Sequence, residues 1–326
     1  MKEIAVVICC HNAEERIAET IKFLALQKMP NGVEWEVIVV DNASQDNTAS
    51  IATIAWQKYY RGVDAHFKIV NEPKTGLAFA RLTGVVSADA EIIIFCDDDN
   101  HLSDDYLVEA RLLLDKYAEV GIIGGWAKPR FSVDTEPWLE DLHPALAIGP
   151  QAPDEGFVPW VYGAGMVVRK QVFLDLRNRN IKFLLSDRVG SKQTSGGDSE
   201  ICQLAAYLGY KIYYSPKLVL FHAVASHRLT QRSFIAANYR NVFPIVYLFL
   251  LQSLISNRDS RVNSLYVTFW SRSVRNVLYF IPRLLVGKHR FYSFLLCYQN
   301  VQVTFWMLLN RSRFNETFSR IKMNLT

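Results

Sequence analysis

The stretch IIIFCDDDN, residues 92–100, decides the fold. Four large apolar residues and a cysteine, a composition typical of a strand buried on both faces, run directly into three aspartates. Three like charges at the end of a buried strand repel one another unless a positive charge lies beside them. The stretch therefore has two interpretations: a solvated acidic turn, or a site for a divalent cation at the carboxyl end of a strand.

The residues around this stretch predict alternating strands and helices. Four apolar runs have the composition of buried strands, and the segments between them carry apolar residues at helical spacing. A β-α-β-α-β-α-β order predicts a mostly parallel sheet with helices on both faces, that is, an α/β fold. The strands are expected at 4–10, 34–44, 67–73 and 91–99, and the helices at 13–27, 46–60 and 76–88.

Polar residues follow three of these strands at matching positions. The strand ends carry His11-Asn12, Asp41-Asn42 and Asp97–Asp99. Ligands of parallel α/β sheets bind beyond the carboxyl ends of the strands. Three polar clusters at one edge favour a ligand site over three unrelated turns.

Composition sets the general class of protein. The 326 residues are 50% hydrophobic and 21% charged, which indicates a globular chain and excludes a disordered one. The five cysteines show no paired spacing, so neither disulfides nor a zinc site is expected. We therefore expect a reducing environment. The N-terminal MKEIAVVICC is interpreted as a first buried strand rather than a signal peptide.

The charge is distributed unevenly along the chain. Residues 227–326 contain 14 Lys or Arg and two acidic residues, whereas the rest of the chain is net acidic. Because this region is also rich in apolar and aromatic residues, we expect amphipathic helices on the anionic inner face of the cell membrane, with the protein cytoplasmic and peripheral. A re-entrant hairpin and a helical dimer interface are alternatives. No nucleic-acid-binding motif is present, and no such partner is expected.

Several motifs together resemble those of a known family. VVICCHNAEE (6–15), VIVVDNASQDNT (37–48), GLAFARLTG (76–84) and GGDSEICQLAAYLGYKIYYSP (196–216) accompany the aspartates. In order and spacing they are similar to glycosyltransferase family 2, whose fold is called GT-A. The resemblance covers about residues 3–225. It implies an inverting enzyme that uses a nucleotide sugar.

The resemblance assigns a metal site to the aspartates. It implies that Asp99 holds Mn²⁺ or Mg²⁺ and that Asp97 reaches the ribose or the water shell of the metal. Side chains at i and i+2 of a strand point the same way, so these two carboxylates are expected to converge. Asp98, pointing the other way, is assigned to the nucleotide. In some GT-A enzymes a late histidine completes the metal shell, here His222, although a lone histidine after a strand is usually structural.

The resemblance also assigns nucleotide-binding residues. It implies that His11 stacks on the base, that Asp41 accepts the N–H of a nucleobase such as uracil, and that Arg81 approaches the diphosphate. Asn12 and Glu14 belong to the same first nucleotide loop. Each residue has a plain structural alternative as a turn residue, a helix-start residue or a solvated helix arginine.

Asp198 is the candidate catalytic base. It follows a glycine-rich loop and opens a helix, where an ordinary N-cap is the alternative role. Glu200 matches an acidic position of the family whose role is open. Trp138, Trp160 and Tyr162 are either sugar-stacking or core aromatics. Loops 132–160 and 186–197 are expected to choose the acceptor.

The sequence thus predicts a metal-dependent inverting glycosyltransferase in glycan or polysaccharide biosynthesis. The donor is a nucleotide sugar, preferably a UDP-sugar, and the acceptor is a saccharide or a lipid-linked saccharide. A GT-A domain is expected at 1–226, with a nucleotide-sugar half at 1–100 and an acceptor half at 101–226, followed by a helical region at 227–326. A nucleotidyltransferase and a catalytically silent nucleotide-sugar-binding module are the alternatives. A dehydrogenase is excluded because no G-x-G-x-x-G follows the first strand.

Overall fold

The computed structural model describes residues 2–185, 195–284 and 289–326. Nine strands form a single sheet with the order β3-β2-β1-β4-β8-β6-β9-β5, and β7 pairs with β9. The strands are β1 (Ile4–Cys10), β2 (Trp35–Asp41), β3 (Ala65–Asn71), β4 (Ile92–Asp97), β5 (Asn100–Leu102), β6 (Val120–Phe131), β7 (Gly156–Phe157), β8 (Val167–Arg169) and β9 (Lys211–Val224).

Eleven α-helices and three short 3-10 segments are present within these residues. The helices are α1 (Ile17–Ala25), α2 (Thr48–Tyr59), α3 (Leu77–Ser87), α4 (Tyr106–Lys116), α5 (Lys170–Asn178), α6 (Gly197–Tyr207), α7 (Gln231–Arg240), α8 (Val242–Ser256), α9 (Val262–Phe280), α10 (Arg290–Leu309) and α11 (Arg311–Leu325). The 3-10 segments are Pro137–Leu146, Ser226–Leu229 and Pro282–Leu284.

The first four strands are parallel, as the sequence predicts. β1 lies between β2 and β4, with Cys10 opposite Asp41 and Cys9 opposite Asp97. Their β-branched and aliphatic side chains suit a sheet that is covered on both faces. Because parallel strands end at the same edge, the polar residues after β1, β2 and β4 meet there.

The second half of the sheet is mixed. β8 runs antiparallel to both β4 and β6, and β9 runs parallel to β6. After β4 a turn at Asp98 and Asp99 leads into β5, which pairs antiparallel with β9. Residues 210–222 lie almost entirely within the single long strand β9.

Each face of the sheet has its own hydrophobic core. Alternation along β4 places Ile94 in the core with α1, α2 and α4, and Ile93 and Phe95 in the core with α3, α5 and α6. Asp97 follows Phe95 by two positions, so it belongs to the face that carries α3 and α6. Helix α1 begins at Ile17, four residues later than expected, because the N–H groups of Ala13 and Glu14 donate to the side chains of Thr48 and Asp46.

The C-terminal helices pack onto the same core as the sheet. Val246 and Leu250 of α8 and Phe314 of α11 are fully buried in the cluster that contains Phe95. The predicted boundary near 226 follows the end of β9, but the two regions share this core. No single described helix is long and apolar enough to cross a bilayer, although α7 and α8, bent by 49°, together have the required length and composition.

Candidate active site

A cleft opens at the carboxyl edge of the parallel strands. Its cavity of about 160 Å³ lies between the ends of β1 and β4 and the start of α3. His11, Asn42, Asp97 and Asp98 of the three predicted clusters line it, together with Arg16. The remaining lining residues are Cys9, Cys10, Thr75, Leu77 and Ala80. The tertiary structure therefore brings the predicted clusters together.

Asp98 is held by an arginine that sequence reasoning did not identify. Arg16 donates from Nε and Nη2 to the two carboxylate oxygens of Asp98 at 2.7 and 2.8 Å. Burial raises the pKa of Asp98 to about 6, against the opposing effect of the Arg16 guanidinium. Both oxygens of Asp98 thus already have a partner. Its assignment to the nucleotide remains a prediction.

The expected convergence of Asp97 and Asp99 does not follow from strand alternation. β4 ends at Asp97, and Asp98 and Asp99 form a turn, so the i and i+2 rule no longer applies. Asp97 lines the cleft, whereas Asp99 lies 3.5 Å from His222 Nε2 on β9. The expected metal ligands Asp99 and His222 are therefore adjacent, and Asp97 lines the cleft wall.

The pair formed by Asp99 and His222 fits a divalent cation that also binds substrate. His222 is buried, and its Nδ1 has no hydrogen-bond partner among the described residues. No group of three His, Cys, Asp or Glu residues that could hold a metal occurs in the described part of the chain. Two protein donors suit Mg²⁺ or Mn²⁺ when substrate phosphates supply further oxygens. Arg228, 3.8 Å from Asp99, adds a positive charge that also suits a phosphate.

The loop after β1, here the first loop, is anchored mainly to the loop after β2, the second loop. His11 Nδ1 donates to the carbonyl of Asn42 at 2.8 Å, which fixes its tautomer and keeps its ring beside the cleft. Asn12, at φ 50°, accepts from the N–H of Gln45 through Oδ1. Glu14 accepts from the backbone and side-chain N–H groups of Asn47. Asn12 and Glu14 therefore support the loop, and of these three predicted residues only His11 lines the cleft.

The second loop is organised by Asp41 and Asn42. Asp41 accepts the N–H of Ser44 at 3.0 Å, which is the turn role that the sequence left open. Asn42 is buried and its amide bonds to the backbone of residues 72, 74 and 76. Asn42 thus shapes the cleft wall, and base recognition by Asp41 remains a prediction.

Arg81 is a buried residue rather than a solvated helix arginine. Its guanidinium lies 5.5 Å from the ring centre of Phe95, and a Cβ at Gly163 would lie 2.6 Å from its Nη2. Arg81 also affects the pKa of the Cys9 thiol. Burial raises the pKa of this thiol to about 12, Arg81 opposes that rise, and Asp97 adds to it. Arg81 therefore lies between the cleft and the start of α6.

Asp198 lies in the first turn of α6, whose N-cap is Gly196. Its Oδ2 accepts the N–H of Gly163 at 3.0 Å and its Oδ1 accepts the N–H of Ser199 at 2.8 Å. It is therefore not the N-cap that the sequence left open. The two backbone bonds orient the carboxylate and leave lone pairs on both oxygens for a further donor.

Glu200 is a structural residue. It is fully buried and accepts from the N–H groups of Leu184 and Leu185 and from the hydroxyl of Tyr247. Its hydrogen bonds thus connect α6 with α8 and with the segment at residues 184 and 185. The predicted acceptor loop 186–197 lies outside the described residues at 186–194.

The three candidate aromatic residues have different environments. Trp160 is exposed and meets Tyr162 edge to face at 5.4 Å. Burial, together with the charge of Asp198, raises the pKa of Tyr162 to about 12. Trp138 packs on Phe234 and Phe291, the core role that the sequence left open. Trp160 is the residue best exposed for a sugar ring.

Comparison with known proteins identifies the class of protein. The family model for glycosyl transferase family 2 matches residues 5–177, more than half of the chain. The chain therefore belongs to glycosyl transferase family 2. This confirms the resemblance drawn from the motifs.

Two relatives are named glycosyltransferases. The chain is 27% identical over 117 residues to the poly(ribitol-phosphate) beta-N-acetylglucosaminyltransferase TarS of Staphylococcus aureus, covering 36% of this chain and 20% of TarS. It is 24% identical over 230 residues to the amylovoran biosynthesis glycosyltransferase AmsB of Erwinia amylovora, covering 69% of this chain and 71% of AmsB. The chain thus matches about a fifth of the length of TarS.

Solved structures confirm the fold. The mannosyltransferase PcManGT of Pyrobaculum calidifontis, in complex with GDP-Man and Mn²⁺, has a TM-score of 0.57 at 18% identity, covering 99% of this chain and 85% of that chain. TarS 1–349 in complex with UDP-GlcNAc has a TM-score of 0.52 at 14% identity, covering 94% and 92%. The predicted α/β GT-A fold with a helical C-terminal extension is therefore confirmed.

Proposed function

We propose that this chain transfers a sugar from a nucleotide sugar to a hydroxyl group of a saccharide acceptor in glycan or polysaccharide biosynthesis. The observation that carries the proposal is the position of Asp97, Arg81 and Asp198 on the same face of β4. Asp97 ends the strand, Arg81 lies over Phe95 two residues earlier, and Gly163, next to Arg81, binds Asp198. A cationic group thus lies between two carboxylates beside a cleft.

In the proposed reaction Asp198 is the general base. It takes the proton of the acceptor hydroxyl while the oxygen attacks the anomeric carbon and the bond to the diphosphate breaks. A single displacement of this kind inverts the anomeric configuration. A positioned base contributes about 10²–10⁴-fold to the rate. The backbone bonds to Asp198 keep its carboxylate in one orientation, so less reorganisation is needed during the reaction.

Arg81 and His11 are the residues that we propose to bind the donor. Arg81 provides a guanidinium suited to diphosphate oxygens, and His11 presents an imidazole ring suited to stacking on a base. Asp99 and His222 would hold Mn²⁺ or Mg²⁺, which neutralises charge on the leaving diphosphate when bound. The complexes of TarS with UDP-GlcNAc and of PcManGT with GDP-Man and Mn²⁺ support a nucleotide-sugar donor. A UDP-sugar remains the preferred prediction.

The test combines binding and turnover. A panel of UDP-, GDP- and dTDP-sugars is screened by thermal shift with and without Mn²⁺, because a ligand that binds the folded state raises Tm. The best donor is then used to measure sugar transfer to water. Asp198→Asn should lower turnover about 10²–10⁴-fold and leave donor binding nearly intact.

Asp115→Asn serves as the matched control, because Asp115 is an exposed acid on α4. It should behave as the unsubstituted protein. Full turnover in Asp198→Asn would refute the role of this base. The absence of binding and cleavage for every donor in the panel would refute the proposed function.

A further inference from the structure

Helices α9 and α10 form a hairpin in the most basic part of the chain. Tyr266 donates to the carbonyl of Met307, and Asn276 to the side chain of Asn300, so the two helices run antiparallel. The end of α9 and the start of α10 therefore meet at one end of the hairpin. Between Asp259 and Glu316 the sequence contains eight Lys or Arg and no acidic residue.

This end of the hairpin exposes large apolar side chains. Leu278, Tyr279 and Ile281 at the end of α9 are 65%, 54% and 46% exposed, and Tyr292 and Phe294 near the start of α10 are each 38% exposed. Exposed large apolar side chains gathered near one end of a hairpin are typical of a binding surface. We call this surface the hairpin tip. It also includes Arg283 and Arg290, together with Arg272 and Arg275, which lie on the adjoining face of α9 seven and four residues before Tyr279.

The arginines of the hairpin tip are available to an anionic partner. Arg272 and Arg275 are exposed on α9 three residues apart, so they lie on neighbouring positions of one face. Arg283 lies 3.6 Å above the ring of Tyr279. Among the described residues, no carboxylate lies within 4.0 Å of a side-chain nitrogen of these three arginines. The surface therefore combines apolar side chains with uncompensated positive charge.

We propose that the hairpin tip binds the surface of a membrane that carries anionic phospholipids. Amphipathic helices with basic and aromatic residues lie in the headgroup region, where apolar side chains enter the acyl boundary and arginines meet phosphates. A second copy of this chain fits less well. A symmetric dimer through this face would bring the arginines of two copies together, and like charges repel.

The hairpin tip lies beside a segment of the predicted acceptor half. The start of α10 contacts the 3-10 segment Pro137–Leu146, where His289 binds Asp141 at 2.6 Å and Phe291 packs on Trp138. A lipid-linked saccharide would thus reach the enzyme from the surface on which the hairpin lies. This last consequence depends on the proposed function, whereas membrane binding itself does not.

Sedimentation of the full chain with vesicles tests the proposal. We expect binding to vesicles of phosphatidylcholine with phosphatidylglycerol, no binding to phosphatidylcholine alone, and release at high salt. Arg272→Gln/Arg275→Gln should weaken binding about 25-fold, at about fivefold for each charge near an anionic surface. Leu278→Ser/Tyr279→Ser should weaken it by about tenfold or more.

The matched control is Lys58→Gln/Arg61→Gln, which removes the same charge from an exposed part of α2 and the turn after it. It should bind as the unsubstituted protein does. Equal binding by all variants, or no binding to anionic vesicles, would overturn the proposal. So would a concentration-dependent dimer, detected by light scattering, that the Leu278/Tyr279 variant abolishes. Donor hydrolysis should stay unchanged in all variants, so this test and that of the proposed function can fail separately.

Discussion

Arg16 and Asp98 are 82 residues apart in the chain and form a bidentate ion pair at the wall of the cleft. Arg16 also donates to the carbonyl of Asn12, so the pair joins the first loop to the turn after β4. A bidentate guanidinium–carboxylate contact fixes distance and orientation together. The pair thus sets the position of two of the predicted ligand-binding segments.

The first prediction concerns the pH dependence of this pair. We expect Arg16→Gln to lower the free energy of unfolding by about 2 kcal/mol at pH 8, because it leaves a buried carboxylate without its partner. That figure allows for the partial exposure of Arg16. The loss should be smaller at pH 5, since the pKa of Asp98 is raised to about 6 and the carboxyl is then largely protonated.

Proton binding by Asp98 determines whether stability rises or falls with pH. The folded-state pKa of Asp98 lies above the ordinary value of 3.8, so the folded protein binds more protons between pH 4 and pH 6. This group therefore stabilises the fold at low pH and loses that contribution as pH rises through the window. Urea denaturation at pH 5 and pH 8 measures both effects. In proteins that already carry Asp98→Asn, Arg16→Gln should lower the free energy of unfolding equally at pH 5 and pH 8, and a pH-dependent loss there would contradict the assignment.

The second prediction concerns Gly163. A Cβ at this position would lie 2.6 Å from Arg81 Nη2, so Gly163→Ala must displace the guanidinium. We expect a folded protein with a turnover about tenfold lower, because small displacements at a site are costly in rate. If Arg81 contacts the diphosphate, the KM for the donor should rise as well. Steady-state kinetics with the donor found in the screen measures both quantities.

Gly156→Ala is the control for this substitution. Nothing lies within 4 Å of a Cβ at Gly156, and its φ is outside the left-handed region that disfavours alanine. It should leave turnover unchanged. Equal kinetics for the two alanine variants would show that the position of Arg81 does not matter for the reaction.

The third prediction separates fold from catalysis at Glu200. Glu200→Gln leaves one side-chain oxygen for three donors and turns an amide toward them. We expect the free energy of unfolding to fall by about 3 kcal/mol, the range for hydrogen bonds to a buried charge. The exposed Glu119→Gln should change it by less than about 0.5 kcal/mol. Denaturant unfolding measures both values. An unchanged free energy of unfolding in Glu200→Gln would contradict the structural role of Glu200.

The fourth prediction concerns the predicted metal ligands. Asp99→Asn and His222→Gln should each weaken Mn²⁺ binding in the presence of UDP by at least about tenfold. Calorimetric titration of Mn²⁺ into the UDP-loaded protein measures this change. The matched controls are Asp115→Asn and His66→Gln, which alter the same residue types at exposed positions outside the cleft. Equal affinities in variants and controls would place the metal elsewhere.

Most of the sheet could be predicted because its signal is local. Apolar runs bounded by turns located β1 to β4, and the alternation of strands and helices predicted their parallel order. The long strand β9 was harder to bound, since it pairs with three other strands and contains Pro216. Its length depends on these neighbours rather than on its own composition.

The candidate site could be predicted only in part. The motifs located His11, Asp97 and Asp198, but nothing in the sequence marked Arg16 or Gly163. Arg16 was hidden because an arginine at the start of a helix is common, and its partner is 82 residues away. Gly163 is important because it has no side chain where its backbone meets Arg81. This contact forms only when α3 and the segment before β8 pack together, so the sequence does not show it.

The sequence by itself determined the α/β class, the edge of the sheet where polar residues gather, and the family, because hydrophobic periodicity and motif spacing are properties of neighbouring residues. Only the tertiary structure decided which carboxylates of the turn after β4 line the cleft, which one lies beside His222, and how Asp198 is oriented. Strand alternation ends where the strand ends, and beyond that point side-chain direction depends on contacts between residues far apart in the chain.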